Sequence, residues 1–209
     1  MNRKDLLNEQ KLEEIGRMFL EAVDINPDRE GLKETPKRFA KYWVELLEGQ
    51  KYTNAEIAKM YDKCFMLPQA EGEQAADEAG QTSLKRDLVV EKDIRIFSHC
   101  EHHIALMYDM SVAVAYIPRD RIIGLSKIAR IAQMVGKRLQ LQERIGSDIN
   151  EIMRTILHTK DVAVVITGKH ACMTARGIKS EQALTITSSL SGVFQTDAKL
   201  RQEMLSLVK

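Results

Sequence analysis

The feature that most constrains this chain is the point where its hydrophobic period changes. Up to about residue 61, apolar side chains recur at helical spacing. From Leu88 onward they fall into strand-like runs, and those runs stand in pairs on either side of two further helical stretches. Between the two regimes lies PQAEGEQAADEAGQTSLKR (68–86), which is polar, acidic at first and nearly free of large apolar groups. Such a segment buries too little to order itself and reads as a loop or disordered connector. The expected organisation is a helical N-terminal region over 1–67, a connector over 68–86 and the main domain over 87–209. The element order, helices and then β-β-α-α-β-β and a last helix, indicates an α+β fold. Its antiparallel sheet would be covered on one face by the helical pair, with an N-terminal helical extension.

The individual elements follow from local pattern. Leu7, Leu12, Ile15, Phe19 and Val23 give a helix over 4–23. A second helix should begin at Thr35, a good N-cap, with Pro36 at the first helical position. Phe39, Trp43, Leu46 and Leu47 form its stripe, and Gly49 is its stop. Asn54 caps a short third helix through Tyr61. The near-alternating run from Leu88 through Phe97 predicts one strand, and SVAVAYI (111–117), stopped by Pro118, predicts another. Helices are expected over about 126–139 and 141–157. Strands are expected over 161–175 and 182–190, and an amphipathic helix from Thr196. No internal repeat of solenoid period is present.

Composition sets outer limits. Hydrophobic residues make up 44% of the 209 and charged residues 29%, which suits a chain with a buried core. A net charge of +1 gives no global basic field toward nucleic acid or an anionic membrane, so neither is an expected partner. No apolar run approaches the roughly 20 residues that span a bilayer. The charged N-terminus MNRKDLLNEQKLEE lacks the apolar stretch of a signal peptide, so the cytoplasm is the expected location. The three cysteines, Cys64, Cys100 and Cys172, are odd in number and argue for metal or catalytic use over a disulfide framework.

Chemistry concentrates in two places. SHCEHH (98–103) sets Cys100 and His103 three residues apart, and GKHACMTARG (168–177) sets His170 and Cys172 two apart. On the expected strand His170 and Cys172 share a face, with Thr174 and Arg176 continuing it. Cys100, His103 and Cys172 are three zinc-compatible ligands. A structural site closes with a fourth protein ligand, whereas a catalytic one leaves that position to water. His102 and His170 remain beside the ligands, where imidazoles can move protons near neutral pH. His99 is a rival ligand by type, but adjacent strand residues point oppositely, which makes it a neighbour. Cys64, among apolar residues, reads as a small buried hydrophobe, and His158 as a helix-end cap or surface residue.

Two weaker features accompany these clusters. GLSKIAR (124–130) places Ser126 at a helix start, with Lys127 and Arg130 in the first turn. Cations there oppose the helix dipole unless an anion is bound, so the set reads as a phosphate site or as a solvated basic face. In QLQER (140–144), Glu143 is either a surface carboxylate or an acceptor for a guanine N1–H and amine.

CEHH (100–103), YIP (116–118), GLSK with Arg130, RLQLQER (138–144), HACM with Arg176 and Gly177, and SLSGVF (189–194) occur together, in order and at the spacing of a known family. Over roughly 25–209 the chain resembles GTP cyclohydrolase I. The resemblance implies a tunnelling fold, in which sheets of several subunits close a barrel, and a homodecamer of two pentamers with active sites at subunit interfaces. It implies Cys100, His103 and Cys172 as Zn2+ ligands and His102 and His170 as acid–base groups. Ser126, Lys127, Arg130 and Arg176, with Arg38 and Lys41 of TPKRFAK (35–41), would bind the triphosphate of GTP. Glu143 would anchor guanine, with Gln142 beside it. The implied reaction is zinc-dependent hydrolysis at C8 of GTP, with His102 protonating N7 and loss of formate. The ribose then rearranges and closes to 7,8-dihydroneopterin 3'-triphosphate, with His170 and Ser126 in proton transfer, as the first step of pteridine (tetrahydrofolate) biosynthesis.

Two rivals stand against this reading. The nitrile reductase of the queuosine pathway shares the fold but uses a cysteine nucleophile without zinc, and the paired cysteine–histidine clusters argue against it. A zinc-stabilised binding module would not need the spare histidines.

Overall fold

The computed structural model describes residues 7–67 and 87–209, so the proposed connector at 68–86 lies outside the described residues. The N-terminal part comprises α1 (Glu9–Ala22), α2 (Thr35–Leu46), a 3-10 turn (Glu48–Lys51) and α3 (Asn54–Tyr61). Asn8 rather than a residue near 4 starts α1, its side chain accepting from the Lys11 N–H. Helix α2 begins at Thr35 as expected, but the cap position is Glu34 and no side chain bonds there; Pro36 sits in the first turn. The cap of α3 is Thr53, not Asn54. Thr53 and Glu56 form a reciprocal capping box, leaving Asn54 free to bond Asp148 and Glu151 on a later helix.

The rest of the chain gives β1 (Cys64–Met66), β2 (Val89–Cys100), β3 (Ala105–Tyr116), β4 (Arg121–Ile123), α4 (Leu125–Gly136), β5 (Leu139–Gln140), α5 (Gln142–Leu157), β6 (Val162–His170), α6 (Ala171–Thr174), β7 (Thr185–Leu190), α7 (Val193–Thr196) and α8 (Ala198–Val208). Five strands form one sheet in the order β5-β2-β3-β6-β7. Neighbours are antiparallel except the short β5, which runs parallel to the end of β2 and pairs Leu139 with His99 and Gln140 with Cys100. Strands β1 and β4 form a separate two-stranded ribbon that periodicity did not reveal, and it leaves Cys64 half-buried against the edge of the main core rather than fully buried.

Alternation along β3 and β6 sorts their side chains between two cores. Val112, Val114 and Tyr116, with Val162, Val164 and Ile166, face the main cluster. There they meet Ile128, Ile131 and Val135 of α4, Ile145, Ile149 and Ile152 of α5, and Ile57 of α3. Ala115, Ile117 and Ala163 face the other side and are covered by Phe194 and Met204 of the C-terminal helices. The expected helical pair therefore covers one face, and α7 and α8 cover part of the opposite one.

Beyond Ile57 in the main core and the Asn54 bonds to α5, further polar and aromatic contacts join the N-terminal helices to this body. Arg138, buried between α4 and α5, donates from Nη1 to Asn54 Oδ1 and Asp148 Oδ2, both at 2.8 Å. It also donates from Nε to the Gly49 carbonyl and from Nη2 to the Tyr52 carbonyl. Gly49 is obligatory here, because a Cβ would lie 2.1 Å from the Met134 carbonyl oxygen. On the far side, Trp43 of α2 meets His99 of β2 edge-on, with ring centroids 5.1 Å apart. Among the described residues no helix is long and apolar enough to cross a membrane.

Candidate metal centre and active site

The hairpin between β2 and β3 carries the first ligand cluster. Cys100 closes β2 opposite Ala105, and residues 101–104 form the turn. Ile104 takes φ +53, a left-handed conformation that a β-branched residue adopts at a cost of about 1–3 kcal/mol. That twist lifts His102 and His103 out of the sheet, and both are exposed. The Arg144 guanidinium of α5 donates to Glu101 Oε2 at 3.0 Å and pins the turn from the side.

The second cluster departs from the sequence expectation. Strand β6 stops at His170, and residues 171–174 form a single helical turn, so Cys172 does not share a strand face with His170, nor do Thr174 and Arg176 extend one. The chain must turn there because Cys172 has to swing back toward the β2–β3 hairpin. Tyr108 of β3 holds that turn, its hydroxyl donating to Thr174 Oγ1 at 2.9 Å. Cys100, His103 and Cys172 then meet, with one ligand atom from each within 4.8 Å of the others.

A tetrahedral zinc with S and N ligands has edges of about 3.5–3.8 Å, so modest side-chain adjustment closes this group on an ion. The donor chemistry fits as well. Burial pushes the Cys172 thiol up from its ordinary range, and the adjacent Cys100 sulfur adds to the effect. Two crowded thiols are poorly disposed to ionise together without a cation, and a divalent ion supplies that charge. His99 and Cys64 are not in the group.

His170 is half-buried at the end of β6. Desolvation depresses its pKa, opposed by the nearby Glu143 carboxylate. Its Nε2 lies 2.9 Å from Gln142 Oε1. Gln142 is buried, at 1% exposure, and its amide nitrogen faces Ile166 O, Thr185 O and Thr187 Oγ1. Glu143, one residue on, is exposed at the N-terminus of α5.

Ser126 and Lys127 lie in the first turn of α4, where no side chain caps the helix, and Arg130 is exposed one turn on. Arg176 follows the Cys172 turn closely enough for its charge to ease ionisation of that thiol. Arg38 and Lys41 are exposed on α2, three residues apart on one helix face. Among the described residues none of Lys127, Arg130, Arg176, Arg38 and Lys41 has an ion-pair partner. Sequence reasoning missed Tyr108, its bond to Thr174 and the docking role of His99, and no local pattern marks them: Tyr108 and Thr174 are 66 residues apart.

The family model described as GTP cyclohydrolase I matches residues 12–209. The chain belongs to the GTP cyclohydrolase I family. It is 53% identical over 193 residues to the GTP cyclohydrolase 1 of Clostridium acetobutylicum, covering 92% of this chain and 93% of that one. It is 54% identical over 207 residues to the GTP cyclohydrolase 1 of Ruminiclostridium cellulolyticum, covering 97% and 99%. The GTP cyclohydrolase 1 of Clostridium botulinum strain Hall is 53% identical over 196 residues, with 94% and 95% covered.

Proposed function

We propose that the chain converts GTP and water to formate and 7,8-dihydroneopterin 3'-triphosphate. The observation that carries this reading is the meeting of Cys100, His103 and Cys172 within 4.8 Å in a chain of the GTP cyclohydrolase I family. Held by those three side chains, Zn2+ supplies a Lewis acid that makes water a nucleophile near neutral pH. His102, exposed on the same turn as His103, delivers a proton to N7 of the guanine. His170 exchanges protons during ring opening and the later ribose rearrangement, with Ser126 beside the sugar. Lys127, Arg130 and Arg176 hold the triphosphate at the start of α4, where the helix dipole favours an anion, and Arg38 and Lys41 add charge from α2. Glu143 anchors guanine through its N1–H and amine.

The same reading includes the tunnelling fold, a barrel closed across subunits, and a decamer of two pentamers. Its support is the open edge of β7 and the exposed apolar side chains Ile186, Leu184, Ile178 and Met173 near it. Location in the cytoplasm and a place at the head of tetrahydrofolate synthesis are part of the proposal.

The test is formate release from GTP by zinc-loaded protein, followed beside the fluorescence of the oxidised pterin. Activity should vanish on chelation and return with Zn2+. Zinc-loaded protein that leaves GTP intact would overturn the reading.

A further inference from the structure

We propose that Gln142 is a positioning residue that fixes the tautomer of His170, placing the proton on Nε2 and leaving Nδ1 as the acceptor of the ring. The proposal rests on the reading of His170 as an acid–base group and assigns Gln142 away from the guanine. Three observations carry it. First, the amide of Gln142 has only one orientation that its surroundings accept. One end lies 3.2 Å from each of two backbone carbonyls, Ile166 O and Thr185 O, and from Thr187 Oγ1. Carbonyl oxygens only accept, so that end is the NH2 group and the other is the carbonyl. Second, that carbonyl oxygen meets His170 Nε2 at 2.9 Å. A carbonyl cannot donate, so the hydrogen belongs to Nε2, and in a neutral imidazole Nδ1 then carries the lone pair. Third, the fold clears a seat for this oxygen. A Cβ on Gly168, two residues before His170 on the same strand face, would lie 3.1 Å from Gln142 Oε1 and 2.9 Å from Met110 Cγ. With a buried side chain bonded at both ends, the tautomer is set by the protein before substrate arrives.

The measurement is solid-state 15N NMR of zinc-loaded full-length protein labelled in histidine, with the His170 signals identified by their loss in His170→Asn. In the wild type, Nε2 should give a protonated-type signal and Nδ1 an unprotonated one. Gln142→Leu should shift the pair toward the other tautomer or a mixture, with kcat for formate release falling roughly 10–100-fold and KM little changed. Gly168→Ala, which presses on Oε1 while leaving the glutamine in place, should move the signals and kcat in the same direction by less. A wild type protonated at Nδ1, or a Gln142→Leu protein with unchanged nitrogen signals and unchanged kcat, would overturn the proposal. Failure of the functional reading is distinguishable, because wild-type protein inert toward GTP would still report its tautomer.

Discussion

Cys172 and His102 lie in the same small site yet should fail in different ways when removed. Cys172→Ala deletes one of three ligand atoms, so the purified protein should lack both zinc and turnover. His102→Ala touches no ligand atom and should keep stoichiometric zinc, measured by atomic absorption, while formate release falls by about 10²-fold or more. A metal-free His102→Ala protein with normal turnover would contradict both assignments. Ile104 offers a second single-residue test. Its left-handed backbone stores about 1–3 kcal/mol, which glycine would release. Ile104→Gly should therefore raise the melting temperature of the metal-free protein, while the looser turn binds zinc more weakly; a lower melting temperature would show the conformation to be unstrained. These residues were the most legible in the sequence, because soft donors and imidazoles are rare and carry their chemistry in their side chains. Gln142 was legible only as a neighbour of Glu143. Its partners on β6 and β7 are brought to it by tertiary packing, which a linear pattern does not encode.

Elements were legible where one face meets one core. Helix α5 keeps its apolar stripe through Ile145, Ile149, Ile152 and Ile156 and lies within a residue of where periodicity put it. The failure came at β6, whose alternation ran on into HACMT although the chain turns there. An apolar-polar pattern records burial, and Ala171, Cys172 and Thr174 are partly buried for a different reason, their approach to the β2–β3 hairpin. The Tyr108–Thr174 bond fastens that turn, so Tyr108→Phe should cost about 1 kcal/mol, seen as roughly fivefold weaker zinc binding in a competition titration with a chelating dye. Unchanged affinity would mean that the turn holds without it. Arg138 works at the same scale, tying α3, the 3-10 turn and α5 into one block. Its removal leaves the Asp148 charge without a cation and takes a donor from two carbonyls, so Arg138→Leu should lower unfolding free energy by about 3–5 kcal/mol in urea. A loss under 1 kcal/mol would show that water replaces the guanidinium.

A triphosphate carries more charge than any one local cluster here neutralises, and the cations proposed to meet it stand on three parts of the chain. Arg176 is four residues beyond Cys172 and close enough to act on its thiol, Lys127 and Arg130 stand at the start of α4, and Arg38 and Lys41 project from α2; among the described residues no hydrogen bond or ion pair within the chain links the α4 and α2 cations to Cys100, Cys172 or His170. Helix α1, packed on α2, leaves Ile15, Met18, Phe19 and Val23 exposed in one stripe, an arrangement that a second surface would cover. If subunits share sites, α2 of one copy serves the metal group of another, and function becomes a property of the assembly. That arrangement makes a distinct prediction. Arg38→Ala and His102→Ala proteins should each be nearly inactive alone. Dissociated, mixed and reassembled, they should regain activity, because some sites then combine an intact α2 with an intact hairpin. Light scattering on the same samples should show one particle size throughout. If the mixed particles stay as inactive as their parents, each site is built from a single chain and α2 supplies no charge across an interface.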